Sequence, residues 1–162
     1  NPLLCSMSDH LRGKPGTRLA SMANVLHVDY PVGASIVVNR EFLKSVGFMC
    51  EDYFLYFEEL DWVMRLGWPS KAFVVTSSLV YHKGGSTTGA GASYRTRPLK
   101  TDYYFLRSRI LFATRFGGLA SIVVAGASAV ALAKRALLFD RGAFRNALKA
   151  LSDGFRFALG RS

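Results

Sequence analysis

A chain of 162 residues holds about one domain's worth of material, enough to bury ~70 % of its unfolded surface. Half of the residues are hydrophobic, which excludes a disordered chain, and two cysteines, Cys5 and Cys50, exclude a disulfide framework or a cysteine metal cluster and fit a reducing compartment. The formal net charge of +10 is uneven: residues 1–100 carry 11 Lys/Arg against 8 acids and residues 101–162 carry 10 against 3, so the basic C-terminal third calls for an anionic partner.

Residue 1 is Asn rather than Met, so a continuation upstream is expected. Residues 1–28 read as loop, with Gly13, Pro15 and Gly16 and little periodicity. Residues 33–38 (GASIVV) are a short apolar run with β-branched ends, the pattern of a buried strand. Asn39 is placed to cap a short helix, REFLKSV, which Gly47 closes. An aromatic stretch, DYFLYF at 52–57, then leads into EELDWVMRL at 58–66, and Gly67 and Pro69 end the helix predicted there. Residues 72–82 (AFVVTSSLVYH) predict one strand or two short ones, followed by the small-residue loop KGGSTTGAGAS. Residues 102–116 are helical in pattern, 119–133 are apolar and small, and 141–159 are an amphipathic helix. Strands mixed with helices, then helices alone, indicate an α/β region with a helical appendage.

The acids of 58–61 need a local reason in so aromatic a setting. At about 100° per residue, Asp61 and Arg65 share a stripe with Glu58, four apart as in a helical ion pair, while Leu60, Val63 and Met64 form the apolar face. Glu59 lies about 100° off that stripe, beside Trp62 and Leu66, where Arg65 reaches it poorly. A carboxylate without a local cation at an aromatic edge suits a general base. The competing explanation is that acids gather in first helical turns because they favour the dipole and free amides. His82, at the end of a β-rich run, is placed for a metal or a phosphate, although a lone histidine is usually neither. The loop from Lys83 to Gly89 offers backbone amides and a lysine for phosphate, without the GxxxxGK[ST] order.

Several of these pieces recur together in one family. Gly33-Ala34, Val46-Gly47, the run from Tyr53 to Trp62 with Arg65, and Val80-Tyr81-His82-Lys83 resemble the C-terminal half of a family 2 glycosyltransferase of the GT-A fold, over about residues 28–116. The bacterial rhamnosyltransferase-like members that build surface polysaccharides are most similar, and Asp102-Tyr103-Tyr104 with Arg107 matches their following helix. The resemblance implies an α/β fold, the C-terminal part of a Rossmann-like mixed-sheet GT-A domain, with residues 1–116 as its acceptor and catalytic half and 117–162 as a helical, membrane-associated appendage. It implies an inverting transfer with Glu59 as base. Glu58, Asp61, Trp62 and Arg65 would support it, Gly33, Ala34 and Lys83 would contact substrate, and His82 would help hold a divalent Mn²⁺ or Mg²⁺. The implied partners are a nucleotide-sugar donor and a saccharide or lipid-linked acceptor, in the cytoplasm on the inner face of the cell membrane. Cys50 and Ser108 depart from the family, where an acid or Asn and an Asn are common. The DxD-bearing nucleotide half would precede residue 1, so a fragment is expected, inactive by itself.

Residues 116–133 are 18 residues without charge, but Gly117, Gly118, Ser121, Gly126 and Ser128 dilute them, and a buried or interfacial helix is expected rather than a span of ~20 apolar residues. In 141–159, Phe144, Leu148, Leu151, Phe155 and Leu159 recur at three- and four-residue steps, with Arg145, Lys149 and Arg156 elsewhere. That pattern suits either an anionic membrane surface or packing on the catalytic domain. Two other functions compete: a basic module binding nucleic acid, and a small membrane protein spanning at 116–133. Nucleic acid is not an expected partner, because the aromatics crowd around acids instead of alternating with Lys/Arg.

Overall fold

The structure is a computed structural model that describes residues 24–29, 31, 33–67, 72–81 and 95–160. These residues form two compact units, one from 24–50 with 58–81, the other from 51–57 with 95–160.

In the first unit, strand β1 (Val25–Val28) pairs antiparallel with β2 (Ala72–Val75), His27 opposite Phe73 and Leu26 opposite Val74. Side chains alternate between faces, so Leu26, Val28, Ala72 and Val74 turn to the more covered side. On the open side the His27 and Phe73 rings meet edge-on at 5.6 Å. The positions of the strands differ from expectation. β1 lies in the stretch read as loop, whereas 33–38 forms a turn and irregular chain in which Val37 is 96 % exposed. A β-branched run becomes a strand only where a neighbour supplies a ladder, and among the described residues β2 supplies it to Val25–Val28. β2 itself stops at Val75: Thr76 donates its amide to Asn24 O (3.0 Å) and Ser78 turns back to Val75 O (3.1 Å).

Helix α1 (Arg40–Val46) has the anticipated ends. Asn39 Oδ1 accepts from the Phe42 amide at 2.8 Å, and Gly47, at φ 78°, donates to Leu43 O at 2.9 Å. Helix α2 (Glu58–Met64) is tied to the end of α1 by side chains. Trp62 Nε1 donates to Gly47 O (2.8 Å), and Arg65 donates to Val46 O and Phe48 O (both 2.7 Å). A cation on the last carbonyls of a helix also meets the negative end of its dipole. The polar stripe read from sequence on α2 is partly internal: Asp61 is 0 % exposed, and Trp62 is buried, as are Leu60 and Val63.

The second unit is helical. α3 (Leu99–Phe116) starts after Pro98, three residues earlier than the periodicity alone suggested. Gly117 and Gly118, at φ 63° and 59°, turn the chain into α4 (Gly118–Leu137), and Asp140 caps α5 (Arg141–Leu159) by accepting from the Ala143 amide at 2.9 Å. α3 packs on both later helices around Leu106, Ile110, Phe112, Val124, Ala147 and Leu151. No helix among the described residues is long and apolar enough to cross a membrane.

Of the two readings left open for 141–159, packing through the large apolar side chains is not what α5 does. Of Phe144, Leu148, Leu151, Phe155 and Leu159, only Leu151 is buried; the contact stripe is Ala143, Ala147, Ala150, Leu151 and Gly154. The reason is the closeness of α3, since a Cβ at Gly154 would stand 2.9 Å from Ile110 Cβ and 3.1 Å from Arg107 O. Small residues let the two backbones approach, and the large apolar side chains are left flanking the seam. Tyr103 on α3 donates its hydroxyl to Asp153 on α5 at 2.7 Å, and burial together with this bond pushes its pKa up to about 12.

Candidate active site

The aromatic stretch preceding α2 belongs to the second unit and is held there by α3. Arg107 Nη1 donates to Asp52 O at 2.7 Å, and the buried Ser108 hydroxyl lies 3.0 Å from Tyr53 O and 2.8 Å from Leu55 O. Between these anchors the backbone is strained. Phe54, Tyr56 and Phe57 have φ of 60°, 66° and 72°, a left-handed conformation that costs a non-glycine residue of the order of 1–3 kcal/mol. Packing fixes it: Tyr53 and Phe57 are buried, Phe57 lies 5.5 Å from the Phe112 ring, and Tyr56 meets Phe105 edge-on at 5.5 Å. The Tyr56 hydroxyl is buried with no hydrogen-bond partner among the described residues. Sequence reading registered Arg107 and the Ser108 departure but not this role. Ser108, although it departs from the family pattern, reaches two loop carbonyls with one hydroxyl.

The chain then enters α2 in the first unit. Asp61 Oδ2 and Arg65 Nε are 3.0 Å apart, as the four-residue spacing indicates. Arg65 is thus engaged by Asp61 and by the carbonyls after α1. Glu58 and Glu59 have a different environment. Desolvation by burial raises the pKa of Glu59 above the ordinary carboxylate value, against the pull of its own amide and of the Gly33 amide. Glu58 is raised too, first by burial and then by the neighbouring Glu59 charge, and its Oε2 is buried with no hydrogen-bond partner among the described residues.

Gly33 has a specific reason to be glycine. A Cβ there would overlap Glu59 Oε1 and stand 2.8 Å from Cδ, so the Glu59 carboxylate rests on the Gly33 backbone. The structure brings Gly33 and Glu59 together across 26 residues of sequence, a contact that spacing alone did not reveal. Ala34 beside it is exposed. The result is a carboxylate pair at the amino end of a helix, one member resting against an amide and partly desolvated, an arrangement able to accept a proton from a hydroxyl.

His82 and Lys83 lie outside the described residues. Among the described residues no three His, Cys, Asp or Glu side chains converge as a divalent site would require, so the metal expectation stays with residues outside this region.

Two comparisons find nothing that bears on the chain as a whole: no family model matches it, and no solved structure matches it. Among curated proteins, it is 35 % identical over 80 residues to N-acetylglucosaminyl-diphospho-decaprenol L-rhamnosyltransferase of Mycobacterium tuberculosis, in both strain CDC 1551 / Oshkosh and strain ATCC 25618 / H37Rv. The match covers 48 % of this chain and 26 % of those proteins. Part of this chain is therefore similar to part of a glycosyltransferase.

Proposed function

We propose that this chain carries the acceptor-side, catalytic half of an inverting family 2 glycosyltransferase, moving a hexose or deoxyhexose from a nucleotide-sugar to a saccharide or lipid-linked acceptor in cell-surface polysaccharide synthesis. The observation that carries the reading is the Glu59 carboxylate seated on Gly33 with its proton affinity raised by burial. In this reading Glu59 takes the proton of the acceptor hydroxyl as that oxygen bonds to the anomeric carbon. The bond from that carbon to the diphosphate breaks on the opposite face, and the nucleotide diphosphate leaves with the electron pair. Glu58 adds negative charge beside the base, while Asp61, Trp62 and Arg65 hold the helix that presents it.

Gly33→Ala tests the reading. The new Cβ would displace the Glu59 carboxylate, the far end of a flexible side chain, so the fold should tolerate it. With the nucleotide-binding half present, kcat should fall about 100-fold, the cost of a misplaced group of roughly 1 Å, while the melting temperature changes little. Wild-type kcat in that variant would remove Glu59 from the reaction.

The same reading places the protein on the cytoplasmic face of a membrane, through an anionic lipid surface. Phe139 is 88 % exposed at the α4–α5 turn, with Leu137, Leu148, Phe155 and Leu159 also exposed and Arg141, Arg145 and Arg156 near them in sequence. Each surface-proximal cation contributes ~1 kcal/mol on an anionic bilayer. Co-sedimentation with phosphatidylglycerol vesicles should therefore exceed that with phosphatidylcholine and fall steeply with salt. Equal binding to both would argue against the assignment.

A further inference from the structure

The turn that carries Phe54 belongs to the helical unit. The Leu55 amide donates to Tyr53 O at 2.7 Å, closing a three-residue turn with Phe54 at its centre and a φ of 60°. A three-residue turn with positive φ is the rare, strained form, and glycine or asparagine adopts that φ more readily than phenylalanine. Burial explains the flanking rings, since Tyr53 and Phe57 are buried, but Phe54 stays 66 % exposed. A large ring held out in water on a strained tip has no account in the packing of the core.

Around that ring α3 and α5 place both apolar and polar groups. Tyr104 lies 4.5 Å from the Phe54 ring, tilted by 34°, and Lys100, one turn earlier on α3, has Nζ 6.0 Å from the Phe54 centroid. Tyr103 meets Tyr104 edge-on at 5.1 Å. On α5, Asp153 accepts from the Tyr103 hydroxyl at 2.7 Å, and Lys149, one turn earlier, stands 5.8 Å from the Tyr103 centroid. Phe54, Tyr104 and Tyr103 thus form a run of three rings with two ammonium groups and a carboxylate at its margins. A pyranose fits such a surface. Its apolar side presents C–H groups to the negative face of an aromatic ring, while the hydroxyls at its rim meet donors and acceptors. An anionic bilayer would repel the Asp153 carboxylate beside the rings, whereas a sugar hydroxyl can donate to it.

We propose that Phe54 and Tyr104 form a stacking platform for a pyranose ring of the acceptor saccharide, with Lys100 and the Tyr103–Asp153 pair as hydrogen-bond partners for its hydroxyls. The choice of a saccharide rests on the transferase reading, since Phe54 stands five residues before Glu59 in the chain. No atom of Glu59 takes part in the platform, so binding and base are tested separately.

Saturation-transfer NMR of the chain with methyl β-D-glucopyranoside tests the platform, with methyl α-D-altropyranoside as the control. The glucoside has axial C–H groups on both faces, and the altroside carries axial oxygens on both. Irradiation of the protein's aromatic protons should reach the axial protons of the glucoside, which binds at roughly millimolar strength, and should pass the altroside by. Phe54→Ala should weaken glucoside binding about tenfold, the scale of one aromatic stacking contact, and Phe54→Trp should keep it. Phe54→Leu, which retains apolar bulk on the same turn, gives the same reading if the alanine variant does not fold. Glu59→Gln should bind the glucoside like the parent. With the nucleotide-binding half joined, Phe54→Ala should raise the acceptor KM about tenfold and leave kcat within about threefold, opposite to the split expected at Glu59. A parent that transfers nothing but binds the glucoside through Phe54 would sink the transferase reading and keep the platform. Glucoside binding that is absent, matched by the altroside or unchanged in Phe54→Ala would overturn the platform and leave Glu59 untouched. Uridine monophosphate bound more tightly than the glucoside, and lost in Phe54→Ala, would make the rings a nucleobase site and overturn the saccharide assignment.

Discussion

Glu59→Gln should lower kcat by about 10²- to 10⁴-fold, the usual contribution of a positioned general base, and leave donor affinity nearly unchanged. The amide keeps the side-chain shape and loses only the basic oxygen, so the effect belongs to the chemical step. The pH dependence follows from the direction of the shift. Glu59 must be ionised to act, and burial raises its pKa above the ordinary 4.5, so the acidic limb of kcat/KM should lie above pH 4.5 and vanish in Glu59→Gln. For stability the sign is opposite. A carboxyl whose folded pKa is raised contributes most below its unfolded value and loses that contribution as pH rises through the folded pKa. Glu59→Gln should therefore keep or raise the melting temperature at pH 7 while activity is lost, a combination that a structural acid would not give. Glu58→Gln separates the two neighbours, because it removes the like charge and a buried unpartnered oxygen but not the base. Turnover close to wild type in Glu59→Gln, with loss in Glu58→Gln, would exchange their roles.

What could be read from the sequence was set by the range of the interactions involved. The Asn39 cap, the Gly47 stop and the Asp61–Arg65 pair depend on neighbours within four residues, and all three occur as spacing indicates. β1 was not legible, because its hydrogen-bonding partner lies more than 40 residues away, and a run such as GASIVV with better strand composition lacks such a partner among the described residues. The seat of Glu59 on Gly33 is of the same kind. In α5 residue size decides which face packs. Hydrophobic periodicity follows the largest side chains, but the distance to α3 selects Ala and Gly, and Phe155 and Leu159 fall outside the contact. The strained aromatic loop gave no sequence signal at all, since left-handed φ values normally announce themselves by glycine or asparagine, and here Phe54, Tyr56 and Phe57 adopt them in a loop anchored by the buried Tyr53 and Phe57.

Asp102→Ala should destabilise the chain by about 3–5 kcal/mol, the cost of removing one partner from a buried ion pair. Both members are almost fully buried, Asp102 at 1 % and Arg135 at 3 % exposure, and the carboxylate also lies in the first turn of α3, where it meets the positive end of the helix dipole. Its loss takes from the buried Arg135 guanidinium the carboxylate that faces both it and Arg97. The penalty thus arises less from the lost attraction than from the charge left behind. Replacing both ends separates these terms: Asp102→Ala/Arg135→Met removes the stranded cation and fills its volume, so most of the stability should return. Urea denaturation of the two variants and the parent measures both steps. A loss below about 1 kcal/mol in the single variant would mean that Arg135 reaches solvent or another acid when Asp102 is gone, and the pair would then not be what fixes α4 against α3.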